Sequence, residues 1–151
     1  MTAIDKQVAA LHALLARRYE ENQRLLGQLS AKEVNVGYAA VISAAFFELA
    51  QRRFIRNGKP ASDAEVIEFV AEARGRTQEA VEIIDPQVAE IATNFVLGKL
   101  PLDAYDGVDD NVAFRTKSLL VAIMAADEDF GDSELNSFMA RVRDLTEESL
   151  R

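Results

Sequence analysis

Cysteine is absent from this 151-residue chain, histidine occurs once, and proline only three times. Without thiols there is no disulfide framework, no thiol nucleophile and no cysteine-based zinc site. The one histidine, His12, lies among Leu11, Leu14 and Leu15 with no partner recognisable in the sequence. A lone helical histidine of that kind is far more often structural or solvated than a base. No stretch is rich enough in glycine, proline or serine to mark a linker between domains. The longest apolar run, roughly Tyr38 to Ala50, is broken by Glu48 and falls short of the ~18–20 residues that span a bilayer. The N-terminus lacks the charged, apolar and small-residue order of a signal peptide. No GxSxG, no phosphate-cradling GxxxxGK[ST] and no dinucleotide fingerprint occurs. These absences argue for a cytoplasmic protein that is not an enzyme.

What is present is ordinary soluble composition, 49% hydrophobic and 28% charged, at a length that buries one substantial core. The net charge of −8 is unevenly spread. Residues 1–62 hold nine Lys/Arg against five Asp/Glu, and residues 63–151 hold eight against twenty, giving +4 and −12. So acidic a block repels phosphate backbones, which argues against nucleic acid as a partner. The basic share includes Arg52, Arg53, Arg56 and Lys59, a grouping that suits a solvated helix end, where cations offset the helix dipole.

Hydrophobic periodicity predicts about six helices and no strand. The first runs from about Thr2 to Leu29. At ~1.5 Å per residue it would be about 42 Å long, more than a domain of this size needs to cover one core. Ser30 with Glu33, and Ser62 with Glu65, are capping boxes that open the second and third helices. Asn57-Gly58 and Pro60 end the second. Asp85-Pro86 pairs an N-cap acceptor with a proline suited to the first helical position, and Gly98 closes that fourth helix. KLPLDAYDGVDD is a loop, followed by helices from about Asp110 to Ala126 and Asp132 to Leu150. The middles of the second and fifth helices, AAVISAAFFELA and SLLVAIMAA, are apolar on every face, which predicts burial on all sides. The expected fold is therefore a single all-α domain over residues 1–151.

Shifting the chain by 69 residues places SDAEVIEFVAEARGRTQEAV (62–81) over GDSELNSFMARVRDLTEESL (131–150). Asp63/Asp132, Glu65/Glu134, Phe69/Phe138, Ala71/Ala140, Arg74/Arg143, Thr77/Thr146 and Glu79/Glu148 are identical. Each copy is preceded by a short turn and an apolar helix. Two readings stand: a duplicated helical hairpin with pseudo-twofold packing, halves about 34–81 and 110–150, or convergent helix-start chemistry.

Two acidic loops, DAYDGVDD (103–110) and ADEDFGDSE (126–134), offer oxygen ligands suited to Ca²⁺ or Mg²⁺. Neither fits the EF-hand order: with Gly131 at loop position 6, positions 1 and 12 are Ala126 and Ser137. A looser carboxylate site would take Asp127, Asp129, Asp132 and Glu134. The alternative is that these residues are solvated caps at a helix start.

The run LLVAIMAADEDFGDSELNSFM resembles the loop of TerB-like (tellurite-resistance) domains, and the likeness covers residues 113–143. Asp127 stands at the family's Asp, Phe130 at its hydrophobic position, and Asp132 and Glu134 at its acidic ones. Glu128 replaces the family's Gly, and the first copy, IRNGKPASDAE, lacks the first Asp. The resemblance implies an all-helical domain with two related halves and a metal-linked or stress-response role. The residues themselves favour a non-enzymatic protein that acts through a protein partner or as a homodimer. A divalent-cation-binding TerB-like domain is the runner-up, and an acidic surface that occupies a basic partner is the third reading.

Overall fold

The first helix starts where the sequence places it and stops far sooner. The computed structural model describes residues 2–150, which form eight α-helices, a π-helical segment, a 3-10 turn and one small β-hairpin. Backbone proximity divides them into two compact units, Met1–Ala45 with Ala125–Arg151 and Phe46–Met124, taken in turn. The all-α class agrees with the periodicity. The count differs because two of the expected helices are each broken in two.

In the first unit, α1 spans Ala3–Leu15 and opens on a capping box: Thr2 Oγ1 accepts from Asp5 N, and Asp5 Oδ2 accepts from Thr2 N. Arg17 then takes a left-handed backbone, φ 63°. Its N–H donates to Leu14 O, and the next, from Arg18, returns to Ala13 O at 2.8 Å. That pair of bonds is a Schellman C-cap, a role usually filled by glycine and here by arginine. The chain reverses into α2 (Tyr19–Gly27), which packs against α1. Asn22, 4% exposed, donates its amide to Ala10 O at 2.7 Å and to the Tyr38 hydroxyl at 3.5 Å. The single helix of about 28 residues expected from the sequence is thus a helical hairpin.

Ser30 and Glu33 form the predicted capping box, with Ser30 Oγ accepting from Glu33 N and Glu33 Oε1 from Ser30 N. The turns this box opens are not yet α-helix. Glu33–Tyr38 is a π-helical segment that runs into α3 (Ala39–Phe54). The buried Gln7 side chain on α1 donates to Glu33 O at 2.9 Å and lies against Gly37. A Cβ at Gly37 would stand 1.9 Å from Gln7 Nε2, so only glycine admits the amide there. At the other end of the chain α8 (Asp132–Ser149) packs on α1 and buries Leu135, Phe138, Met139 and Val142, the stripe its periodicity predicts. Phe130 stacks on Phe138, centroids 5.1 Å apart, closing the turn that enters α8.

In the second unit α3 ends in a hairpin that the sequence did not announce as strand. β1 (Ile55–Arg56) pairs antiparallel with β2 (Lys59–Pro60) through Asn57-Gly58, both at positive φ, the signature of a two-residue type I′ turn. The root of the hairpin is fixed from several sides. Ala61 N donates to Phe54 O, Phe54 and Arg53 both pack on the Phe69 ring, and Lys99 Nζ bridges Ala61 O and Asp63 Oδ1. Ser62 caps α4 (Asp63–Arg74) by accepting from Glu65 N. The expected third helix then breaks at residues 75–77: Thr77 Oγ1 accepts from Ala80 N and starts α5 (Gln78–Ile83). Arg74 laces the two together by donating to Val81 O and Ile84 O. The aligned Thr146 lies inside the unbroken α8 and donates to Val142 O instead.

Asp85 caps α6 (Pro86–Val96) through Val88 N, as expected from Asp-Pro. A 3-10 turn (Leu102–Tyr105) sets the Tyr105 ring edge-on to Phe95, and Asp109 caps α7 (Asp110–Glu128) by accepting from Asn111 N and Val112 N. Thr116 on α7 accepts from Asp85 N and donates to Ile83 O, tying the α5–α6 turn down.

The expectation that α3 is buried on all sides fails: Ser43 is exposed and Phe47 is 40% exposed, while Phe46, Leu49 and Ala50 are buried. With the π-helical segment it forms a 22-residue apolar stretch, Glu33–Phe54, of mean hydropathy 1.2, long and apolar enough by length and composition to cross a membrane. In the fold 44% of that stretch's most apolar window is buried.

Gly37→Ala is expected to lower stability by about 1–3 kcal/mol, the usual penalty of overpacking a closed site. Gln7→Ala in the same chain removes the clashing amide and should recover part of that loss. Denaturant midpoints of the two single variants and the double variant measure the coupling. Simple additivity would mean that the two residues do not meet.

Candidate functional site

The acidic turn is the first place to look for chemistry. Asp127 and Glu128 end α7, Asp129 takes a left-handed backbone (φ 51°), and Gly131 is the N-cap of α8 with Asp132 directly behind it. Glu134 Oε1 accepts from Gly131 N at 3.3 Å, which closes the start of the helix. Asp127, Asp129, Asp132 and Glu134 are exposed, and Glu128 is half-buried. Among the described residues no group of three or more His, Asp or Glu side chains is arranged to hold a metal ion. Asp132 and Glu134 sit in the first turn of α8, where carboxylates are favoured by the helix dipole.

His12 lies in a groove of about 360 Å³ in the first unit, whose floor includes Val8, Ala9, Leu25 and Met139. Its Nδ1 stands 3.2 Å from Arg18 Nη2, so the histidine does have a polar neighbour, brought to it by the left-handed turn at Arg17. Asp5 lines the same groove and is bound to Arg143 of α8 at 2.6 Å. The Thr2 backbone N–H, and then the Arg143 guanidinium, hold the Asp5 carboxyl down to about 2.

The second unit carries a groove of about 380 Å³ that sequence reading missed as a unit. Val88, Ile91 and Val112 give it apolar walls, and Asp85, Asp106 and Asp109 give it three carboxylates. Asp85 and Asp109 each spend one oxygen on a helix cap, while Asp106 comes just after the 3-10 turn, beside Gly107. DAYDGVDD was recognisable as acidic. Asp85, recognised only as a helix cap, joins it through the fold. On the same unit Lys117 places Nζ 5.1 Å from the Tyr105 ring centre, and burial pulls the amine's pKa down and the Tyr105 phenol's up.

The basic grouping divides. Arg52 and Arg53 lie in the last turn of α3, as expected of cations at a helix end, whereas Arg56 and Lys59 face each other across the hairpin. Comparison with family models, with curated proteins and with solved structures yields no match.

The folded-state pKa of Asp5 lies below the ordinary 3.8, so its stabilising contribution is complete above that value and is lost as pH falls through about 2. Thermal melts should therefore show Asp5→Asn below wild type at neutral pH, with the gap closing toward about pH 2. A gap independent of pH would assign the effect to packing alone. Millimolar Ca²⁺ or Mg²⁺ is expected to leave the melting temperature unchanged, because ligand linkage requires a site that the folded chain assembles. A clear upward shift, abolished by Asp127→Asn with Glu134→Gln, would instead establish a cation site at the turn.

Proposed function

We propose that this chain is a non-catalytic association module whose partner is a protein surface, in the first place a second copy of itself. The observation that carries the reading is the groove of the second unit. It combines apolar walls with a carboxylate rim. Outside it, Leu102 is 72% exposed on the 3-10 turn that precedes the rim in the chain. Apolar contact surrounded by a polar rim is how protein interfaces are built. Ile67 and Val81 add exposed apolar area on the same unit. The length of the first helix no longer supports self-association, because that helix turns back on itself at Arg17.

The second reading is the TerB-like domain that answers Ca²⁺ or Mg²⁺ in a stress response. It leans on the carboxylates of the 126–135 turn, and it ranks behind because Glu134 is engaged in closing the α8 N-terminus.

Sedimentation or light scattering across the micromolar range tests the leading reading. The mean mass is expected to rise above the 16.7 kDa of one chain as concentration increases. Leu102→Asn, which removes the apolar side chain without adding charge, should weaken the association roughly tenfold, equivalent to about 1.4 kcal/mol. A constant single-chain mass throughout would remove self-association.

A further inference from the structure

The tip of the β-hairpin is an unusual place to find Arg56 and Lys59. They are direct cross-strand partners, so their side chains leave the same face of the ladder, with Cβ atoms roughly 5 Å apart. Like charges in that position destabilise a strand pair. Both residues are exposed, and neither has an ion pair or hydrogen-bonded side-chain partner among the described residues. In a chain of net charge −8 there is no shortage of carboxylates that could have faced them. The tip is also held rigid. The type I′ turn fixes its conformation, and the root is pinned by Lys99, by the Phe54–Phe69 pair and by Arg53 over Phe69. A rigid, exposed pair of unneutralised cations is preorganised for an anionic surface, since little freedom remains to be lost on contact.

The groove of the second unit has the complementary character. Asp85 and Asp109 use only Oδ1 in capping, and the Asp106 carboxylate has no partner among the described residues, so acceptor oxygens remain on all three. Its walls of Val88, Ile91 and Val112 suit the methylene stems of lysine and arginine, which pack on apolar surface while their heads stay polar. We infer that the Arg56–Lys59 tip of one copy docks into the Asp85–Asp106–Asp109 groove of a second copy. This rests on the association proposed above and names its two surfaces. Because the surfaces differ, the contact is heterologous: it propagates head to tail, either as an open chain of subunits or as a closed ring.

The experiment uses two full-length variants that leave the fold's own interactions in place. Arg56→Gln with Lys59→Gln discharges the tip. Asp85→Asn, Asp106→Asn and Asp109→Asn together discharge the groove while keeping helix caps, since asparagine caps as well as aspartate. Circular dichroism confirms that both remain folded, and sedimentation then reads assembly at low salt and at about 0.5 M salt. Wild type should assemble and lose most of that assembly in high salt. Each variant alone should associate at least tenfold more weakly than wild type. Mixed in equal amounts they should form a dimer and nothing larger, because only one intact tip and one intact groove then meet. If wild type assembles and either variant does so equally well, the tip-and-groove contact is wrong while the association proposal survives. Two monomeric variants that fail to form the mixed dimer overturn the head-to-tail contact as well. A wild type that stays monomeric at low salt removes both proposals together.

Discussion

The bond from the Asn22 amide to the Ala10 carbonyl is the constraint on which the first unit depends. An uninterrupted helix over the first 29 residues would satisfy every local preference, yet Leu11 and Leu25 could not then be buried by packing against each other's segment. Folding the segment back costs about 1–2 kcal/mol for a left-handed arginine. Burying a leucine contributes about 1.5–3 kcal/mol, and both Leu11 and Leu25 are buried in the hairpin, so packing outweighs the turn. Asn22 selects the register. Its amide is inside, and a buried donor without an acceptor costs about 1–3 kcal/mol, so α2 can settle only where Ala10 O or the Tyr38 hydroxyl is within reach. Gln7 applies the same logic one turn away, where its amide satisfies Glu33 O and fills the space that a Cβ at position 37 would occupy.

The parts of the fold that were legible in the sequence are those written by neighbours. The Ser30/Glu33 box, the Ser62 cap, the Asp85-Pro86 start and the α8 stripe all act over three or four residues and stand where their spacing puts them, although at Ser62/Glu65 only the serine half of the box forms. The illegible parts depend on partners far along the chain or on a residue in an unaccustomed role. Arg17 carries no sign that it will take the place of a C-cap glycine. Nothing near Glu33 signals a π-helical segment, because the amide that accompanies it comes from 26 residues upstream. The hairpin did have its signal, Asn57-Gly58, but strands of two residues are too short to show alternation. The groove was illegible for the same reason: one of its three carboxylates is contributed by a turn some twenty residues before the other two.

Carboxylates in this protein are better sorted by what they are doing than by how densely they cluster. The acidic run at 126–135 is the densest in the chain, yet Glu134 closes a helix start and Asp132 lies in its first turn. The sparser set around the second groove keeps oxygens free over an apolar floor. Local charge density in this chain thus does not tell which carboxylates keep acceptor oxygens once the fold has taken its share.

The tyrosines bear on how this molecule is observed. The chain has no tryptophan and three tyrosines, and each sits in a different setting. Tyr38 is closed inside the first unit under the Asn22 amide, Tyr105 is half covered beside Phe95 in the second, and Tyr19 stands in solvent at the reversal between α1 and α2. Tyrosine emission here is not drained by energy transfer to an indole. The buried phenol of Tyr38 and the half-covered phenol of Tyr105 therefore act as separate native reporters, one for each unit, with Tyr19 as an internal reference already bathed in water.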